Sequence, residues 1–503
     1  MNQPADQPVA SSPSARIWQA RLFEPCDIAS VVFFRIAFAG IMLCHVGLFI
    51  GRRYVNDIFV VPPHHLSYFG FEWVRPLPGD GMWIVYYLMG VAAIGVGLGL
   101  FYRLSAVLLF VTYTYSFLAE AALFQNHYYM MSLVAFLLIL IPAHRSLSLD
   151  AINVQPRAGI FIPNWCRWAL MFLVALPYVY GGIAKLNADW LHAMPVGAWV
   201  SEKSDLPLIG PYLTERWAAR TISYAGLVFD LTIVPLLLWS RTRRCAYAAV
   251  VVFHLLNAVL FDIDVFPWMM ILATPILFSP DWPRRLLKLP PLDVSAAPTF
   301  SSPTGAQRVS IGVLCLFVAW QLLFPLRHWA YPGDPSWTEE GQQFAWRMML
   351  RRKEVFVRFY ATDNTQRTTV EVPIERLLTP RQIMEVAVSP DQLVAIAPFL
   401  AERARSAGLQ NVSIRAVVIA SLNGRKPQLL IDPDLDLLTL QRTWGHQPWI
   451  VPLTEPLRSE PWDVSSHLWP EELGIELPST TFLPSAMTPN PTPHRDEQPP
   501  HPR

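Results

Sequence analysis

Three short polar clusters break into long apolar stretches, and their residue types could do acid–base chemistry. Lys185 closes an apolar run in Gly181-Gly182-Ile183-Ala184-Lys185-Leu186-Asn187-Ala188-Asp189-Trp190. A lysine held in an apolar pocket loses its charge more readily and can act as a base, whereas one at a helix end can simply extend to the membrane interface. Asn126-His127-Tyr128-Tyr129 opens another apolar run, where His127 could be catalytic or serve as an interfacial hydrogen-bonding residue. His254 and Asn257 stand at i and i+3 and so share a helix face, lining a cavity or bonding a neighbouring helix, with Asp262 and Asp264 just beyond. Arg35 and Asp230 are charges inside apolar windows, to be satisfied by each other or by backbone. His64-His65, beside Pro62-Pro63, reads as a solvated loop pair. No two histidines have ligand spacing on one helix, and the five cysteines (Cys26, Cys44, Cys166, Cys245, Cys315) form no C-x-x-C pair, so no metal and no disulfide framework is expected.

The elements that must position these residues are membrane spans. Of 503 residues, 53% are hydrophobic and 15% charged, well below the charge content of a soluble chain. A net charge of +1 argues against nucleic acid as a partner and leaves the lipid bilayer as the first one. About nine spans are expected, near 28–50, 82–100, 104–123, 127–142, 165–184, 221–239, 245–262, 265–279 and 309–326. Threaded from a cytoplasmic N-terminus, they put Arg103, Arg145 and Arg157, Arg241 with Arg243-Arg244, and Arg284-Arg285 with Lys288 on the cytoplasmic side. Arg52 and Arg53 fall on the other side, in a longer connection. The three polar clusters then share the outer leaflet, and everything after 327 lies outside the cytoplasm.

The fold class expected is an α-helical polytopic membrane domain followed by an extracytoplasmic β-rich α+β domain. The divisions are a flexible N-terminus at 1–27, the membrane domain at 28–327, the β-rich domain at 328–477 and a disordered tail at 478–503. The first apolar run has no small-residue cleavage site after it and reads as a retained anchor. The tail holds eight prolines and almost no aliphatic residues. Within the β-rich domain, Glu354–Tyr360 and Arg367–Val372 read as strands joined across Asp363-Asn364. Ser389-Pro390-Asp391-Gln392 reads as a capping box opening a helix to Gly408, and Asn423-Gly424 as a hairpin turn.

At these clusters the sequence resembles the vitamin K-dependent gamma-carboxylases, whose membrane part is an HTTM domain. The likeness extends through His254-Leu255-Leu256-Asn257, Ser279-Pro280-Asp281-Trp282-Pro283-Arg284, Trp337-Thr338-Glu339-Glu340-Gly341, Phe344-Ala345-Trp346-Arg347-Met348-Met349 and Asp432-Pro433-Asp434-Leu435-Asp436, covering roughly 15–465. The resemblance implies Lys185 as the base that deprotonates vitamin K hydroquinone, or a related menaquinol. The oxygenated quinone then removes a γ-proton from a peptide glutamate, the carbanion takes CO₂, and the quinone ends as its epoxide. His127 assists the glutamate step. Asn126, His254, Asn257, Asp189 and Trp190 are implied at the quinone, and Trp346, Phe344 and Arg347 at the peptide. Implied partners are a glutamate-containing peptide or protein and a quinone reductase. Asn187 stands where animal members have aspartate and Phe344 where tyrosine is expected, and no cysteine after 315 could form their interdomain disulfide. The bare loops point to a bacterial inner membrane with the second domain periplasmic. Quinone epoxidation without carboxylation remains a second reading, and a transporter or lipid-binding membrane protein a third, although no inverted repeat is visible.

Overall fold

The computed structural model describes residues 20–152, 160–261, 263–293, 297 and 305–481. The expectations for the extreme N-terminus, for Arg157 and Asp262 and for nearly all of the Pro-rich tail lie outside the described residues.

Each of the nine apolar windows carries a helix: α1 (Ala29–Gly51), α2 (Gly81–Leu98), α3 (Tyr102–Leu118), α4 (Asn126–Leu140), α5 (Asn164–Ala184), α6 (Arg216–Leu238), α7 (Arg243–Leu260), α8 (Phe266–Ala273, extended as a 3₁₀ turn to Leu277) and α9 (Gly305–Leu323). The count of nine spans is not reached. Six helical stretches are long and apolar enough to cross a bilayer, whereas Asn126–Leu140 and Phe266–Leu277 are short apolar helices. At 1.5 Å per residue a 15-residue helix covers only about 22 Å, less than the hydrocarbon core. At the start of the short α4, Asn126 is half-buried and His127 buried in protein.

Two small ties close the membrane domain at the end opposite the polar clusters. A short antiparallel pair joins β1 (Pro25–Asp27) to β2 (Phe161–Pro163). Arg35, fully buried in α1, donates to the carbonyls of Ala143 at 2.6 Å, Leu147 at 2.5 Å and Gly97 at 3.3 Å. It satisfies backbone, and it does not meet Asp230.

The outer domain is a four-stranded sheet in the order β4-β3-β5-β6, built from β3 (Lys353–Asp363), β4 (Thr368–Val372), β5 (Val412–Leu422) and β6 (Gln428–Leu429). β3 and β5 pair antiparallel over their full length, from Lys353 opposite Leu422 to Asp363 opposite Val412. β5 is buried almost throughout because both faces are covered. Helix α11 (Pro390–Ser406) packs on one face, and Trp469 joins Tyr360, Val417 and Ile419 on the other. The β3–β4 turn is held by Asp363, whose carboxylate accepts from the N–H groups of Thr365, Gln366 and Gln410. The capping box expected at Ser389 does not form. It lies one helix earlier, where Thr379 and Gln382 cap α10 (Pro380–Val388) reciprocally. Ser389 ends α10 and starts α11 without a side-chain cap, and Gln392 donates instead to the Ser67 carbonyl at 3.1 Å.

The outer domain rests on the connections that the charge pattern places outside. Arg442 bonds the Ser67 carbonyl at 2.9 Å, Gln382 bonds Glu120 at 2.8 Å, and Arg352 pairs with Glu202 at 2.9 Å. The His64-His65 pair is part of this seam rather than solvated: His65 meets Glu120 at 3.2 Å and His64 stacks on Phe399 at 4.3 Å.

Helices α5 and α6 pack tightly through glycine. A methyl group at Gly182 would lie 2.8 Å from Leu231 Cδ2 and 3.1 Å from the Leu231 backbone nitrogen. Gly182→Ala should therefore push the helices apart and cost about 1–3 kcal/mol. The thermal midpoint in detergent checks this, with Gly197→Ala, 3.4 Å from Ala219, as the tolerated control.

Candidate active site at the membrane boundary

The chain turns at Lys185 because α5 ends there. Its N–H still bonds Gly181 O at 3.2 Å, and the next residues start a new turn capped by Asn187. Asn187 Oδ1 accepts from Trp190 N at 2.9 Å while its Nδ2 donates to Ala184 O at 2.7 Å. An aspartate could do only the first, so the amide at this position locks the turn from both sides. Trp190 is fixed in turn: its indole donates to Ser223 O at 2.9 Å and Ser223 donates back to Trp190 O at 2.6 Å.

This turn holds Lys185 in a buried position, 7% exposed, with its ammonium 5.0 Å from the Trp190 ring and hydrogen-bonded to Asp230 of α6. Asp230 is 5% exposed. Lys185 is thus neither at the lipid surface nor alone, since it forms half of a buried ion pair. The carboxylate was visible in the sequence as a charge in a span, but its partner was not.

The loop 344–349 carries this pair to the other clusters. A methyl group at Gly181 would sit 3.2 Å from Asp230 Oδ2, 3.6 Å from Met348 Cε and 3.8 Å from Lys185 Nζ. The preceding residue, Arg347, accepts through its backbone carbonyl from Asn126 Nδ2 at 3.3 Å. Trp346, fully buried, lies 5.3 Å from the Tyr129 ring, and Phe344 lies 5.0 Å from it. Positive φ values at Phe344 (58°), Trp346 (55°) and Met349 (53°) fold the loop into this wedge. The Arg347 guanidinium points the other way, to Gln342 Oε1 at 2.7 Å and Ser336 at 3.3 Å, and burial holds it below its ordinary value.

His127 and His254 meet through one ring. Phe266 of α8 lies 5.5 Å from His127 and 5.7 Å from His254. His254 Nε2 is 3.0 Å from the Tyr178 hydroxyl, which also reaches Thr274 at 3.2 Å. Asn257 is only half-buried, and Asp264 accepts from Tyr128 at 2.8 Å. His45 of α1, buried 5.2 Å from the Tyr128 ring, was not singled out in the sequence although it too is an ionisable group inside a span. Asp189 lies next to the site, but its carboxylate is occupied: Arg425 grips it at 2.6 and 2.8 Å, and Asn423 donates at 2.6 Å. It joins the two domains, and none of its bonds faces Lys185.

Several buried polar atoms around this region have no partner among the described residues: Asn126 Oδ1, His127 Nε2, His254 Nδ1, Gln321 Oε1 and Trp346 Nε1. Unsatisfied buried donors and acceptors are costly, and these, at the loop 344–349 and on either side of Phe266, fit a ligand with hydroxyl or carbonyl oxygens. Among the described residues no three His, Cys, Asp or Glu side chains gather to hold a metal.

Two family comparisons match the chain, one in each half. Residues 23–282 match the HTTM domain, and residues 306–456 match the vitamin K-dependent gamma-carboxylase lumenal domain. No solved structure matches the chain. The two matches give the chain, a multi-pass helical domain followed by an extracytoplasmic β-rich domain, a gamma-carboxylase-like function, and the chain belongs to the vitamin K-dependent gamma-carboxylase family.

Proposed function

We propose that the protein is a peptidyl-glutamate γ-carboxylase that uses vitamin K hydroquinone or a related menaquinol, with O₂ and CO₂, and couples epoxidation to carboxylation. The observation that carries the reading is the buried Lys185–Asp230 pair beside Met348, where a loop of the outer domain reaches the membrane helices. When bound, the hydroquinone supplies with O₂ the strong base that removes a glutamate γ-proton, and it leaves as the 2,3-epoxide.

The chain's own residues prepare that chemistry. Lys185 takes the proton of a quinol hydroxyl, which requires the uncharged amine. Asp230 is the neighbour that can accept the ammonium proton: one N–H bond breaks, one O–H bond forms, and the pair keeps zero net charge in a dry site. Trp190 covers the amine, its ring 5.0 Å from Nζ. Asn126 Oδ1 and His254 Nδ1 are the free atoms that would orient the quinol oxygens, and Asn257 lies one turn beyond. His127 Nε2, also free, serves the glutamate side as a hydrogen-bonding or proton-donating group. Trp346 and Phe344 shape the wedge between quinone and peptide, and Asp189 acts through the domain joint. The quinone enters from the bilayer, the peptide from the aqueous side, and a quinone reductase regenerates the quinol. In this reading the protein sits in a bacterial inner membrane with the outer domain in the periplasm.

The test is purified protein in detergent given vitamin K hydroquinone, O₂, a glutamate peptide and ¹⁴CO₂. Epoxide with label in the peptide is the expected result. Epoxide without label would leave an uncoupled epoxidase, and no epoxide would remove the quinone mechanism.

A further inference from the structure

Tyr178 of α5, His254 of α7 and Thr274, in the turn that extends α8, form a short chain of polar groups inside the membrane domain, none of them more than 3% exposed. The Tyr178 hydroxyl lies 3.0 Å from His254 Nε2 and 3.2 Å from Thr274 Oγ1. Thr274 Oγ1 in turn donates to Met270 O at 2.7 Å. At the other end of the chain His254 Nδ1 is buried and has no partner among the described residues. In the proposed function Nδ1 helps to orient the quinol oxygens, and what it can bind depends on whether it carries a proton.

The hydrogens along the chain decide that. Thr274 has one hydroxyl hydrogen and gives it to Met270, so towards Tyr178 it can only accept. Tyr178 also has one. If Tyr178 donates to Thr274, its oxygen is free to accept from Nε2–H of His254, and every contact in the chain is a hydrogen bond. If it donates to His254 instead, the contact with Thr274 sets two oxygens lone pair to lone pair, and one bond is lost. The first arrangement is favoured by about 0.5–1.5 kcal/mol, the net contribution of a hydrogen bond. The 3.0 Å separation agrees, since it is the usual length for N–H···O and long for a bond donated by a hydroxyl. His254 therefore carries its proton on Nε2, and Nδ1 is a bare acceptor.

We propose that Thr274, acting through Tyr178, sets this tautomer and makes the site select the reduced cofactor over its oxidised forms. A quinol hydroxyl can donate to the Nδ1 lone pair. The carbonyl oxygens of a quinone or its epoxide can only accept, and they meet that lone pair with their own. Thr274 and Tyr178 are positioning residues in this scheme, because they act through His254. The inference rests on the quinone reading of the site and adds to it a preference for one oxidation state, which lets the oxidised product leave and the next quinol take its place.

The test measures binding, not turnover. Full-length protein in detergent is titrated without O₂ with vitamin K hydroquinone and with the quinone of the same side chain, by quenching of tryptophan fluorescence. Wild type should bind the quinol more tightly. In Thr274→Val the Tyr178 hydroxyl has only Nε2 left to donate to and the ring proton moves to Nδ1. The ratio of the two affinities should then fall about 10-fold, the size of one mismatched hydrogen bond in a buried site. Thr274→Ser keeps the acceptor and should keep the wild-type ratio. A second readout is the ¹⁵N spectrum of histidine-labelled protein without ligand, with His254 assigned by its loss in His254→Gln: Nε2–H is expected in wild type and Thr274→Ser, Nδ1–H in Thr274→Val. Valine matches threonine in shape and residue 274 keeps its backbone bond to Met270 O, so the variant should fold, which its thermal midpoint verifies. A ratio unchanged in Thr274→Val, a tautomer that does not move, or Nδ1–H in wild type would overturn the proposal and leave the quinone reading in place. Binding of neither ligand to wild type would overturn both.

Discussion

Lys185→Ala is expected to lower the initial rate of epoxide formation by about 10²- to 10⁴-fold, the range a positioned general base contributes. The single variant carries a second effect that must be separated. It leaves Asp230 buried with no counter-charge, and breaking a buried pair from one side costs about 3–5 kcal/mol. The thermal midpoint of Lys185→Ala should therefore fall together with the rate. In the double variant Lys185→Ala/Asp230→Asn both charges are gone, so the midpoint should recover most of the way while the rate stays low. A double variant that kept the wild-type rate would show that the amine is not the base, whatever its stability.

The elements around this site were readable from composition because each needs only local information. An apolar run of about 20 residues must be helical wherever backbone groups meet lipid, so all nine windows hold helices. Which of them cross was not readable, because α3, α4 and α8 fall short of the length of the six long spans. Asn423-Gly424 predicted a turn correctly, and their φ values of 52° and 75° are the reason for the residue types. What the turn touches was hidden: Asn423 reaches Asp189, 234 residues away in sequence. Lys185, His127 and His254 stood out as polar groups in apolar surroundings; the structure brings the ends of the first two helices to the loop 344–349 and joins His254 to His127 through Phe266. Asp230 stood out equally, but the choice between Arg35 and Lys185 as its partner depends on which end of the bundle each occupies. The misplaced capping box has a similar cause. Thr379 and Ser389 both precede proline and stand three residues before glutamine, and only the tertiary contact of Gln392 with Ser67 decides between them.

Arg425→Ala should be the most destabilising change at the domain joint. Arg425 holds Asp189 through two bonds, both residues are less than a tenth exposed, and Asn423 supplies a third donor to the same carboxylate. Removal of the guanidinium strands the buried carboxylate, for a loss of about 3–5 kcal/mol. Arg216–Glu460, also between the domains, gives the internal comparison: its side chains are 65% and 73% exposed, and a solvated pair of that kind contributes about 0–1 kcal/mol. Thermal midpoints of Arg425→Ala and Arg216→Ala in one detergent test the contrast, and salt should shift only what the exposed pair contributes. Equal midpoints would mean that the joint is held elsewhere along the seam. Asp189→Asn/Arg425→Gln, which removes both charges and keeps hydrogen-bonding groups, should regain much of the loss. Activity should follow stability here and not at Lys185. Residues 346–348 reach the membrane helices only while the outer domain is seated, so a loosened joint withdraws Trp346 and Met348 from Tyr129 and Gly181. All five cysteines are free, and this ion pair across the joint is buried on both sides.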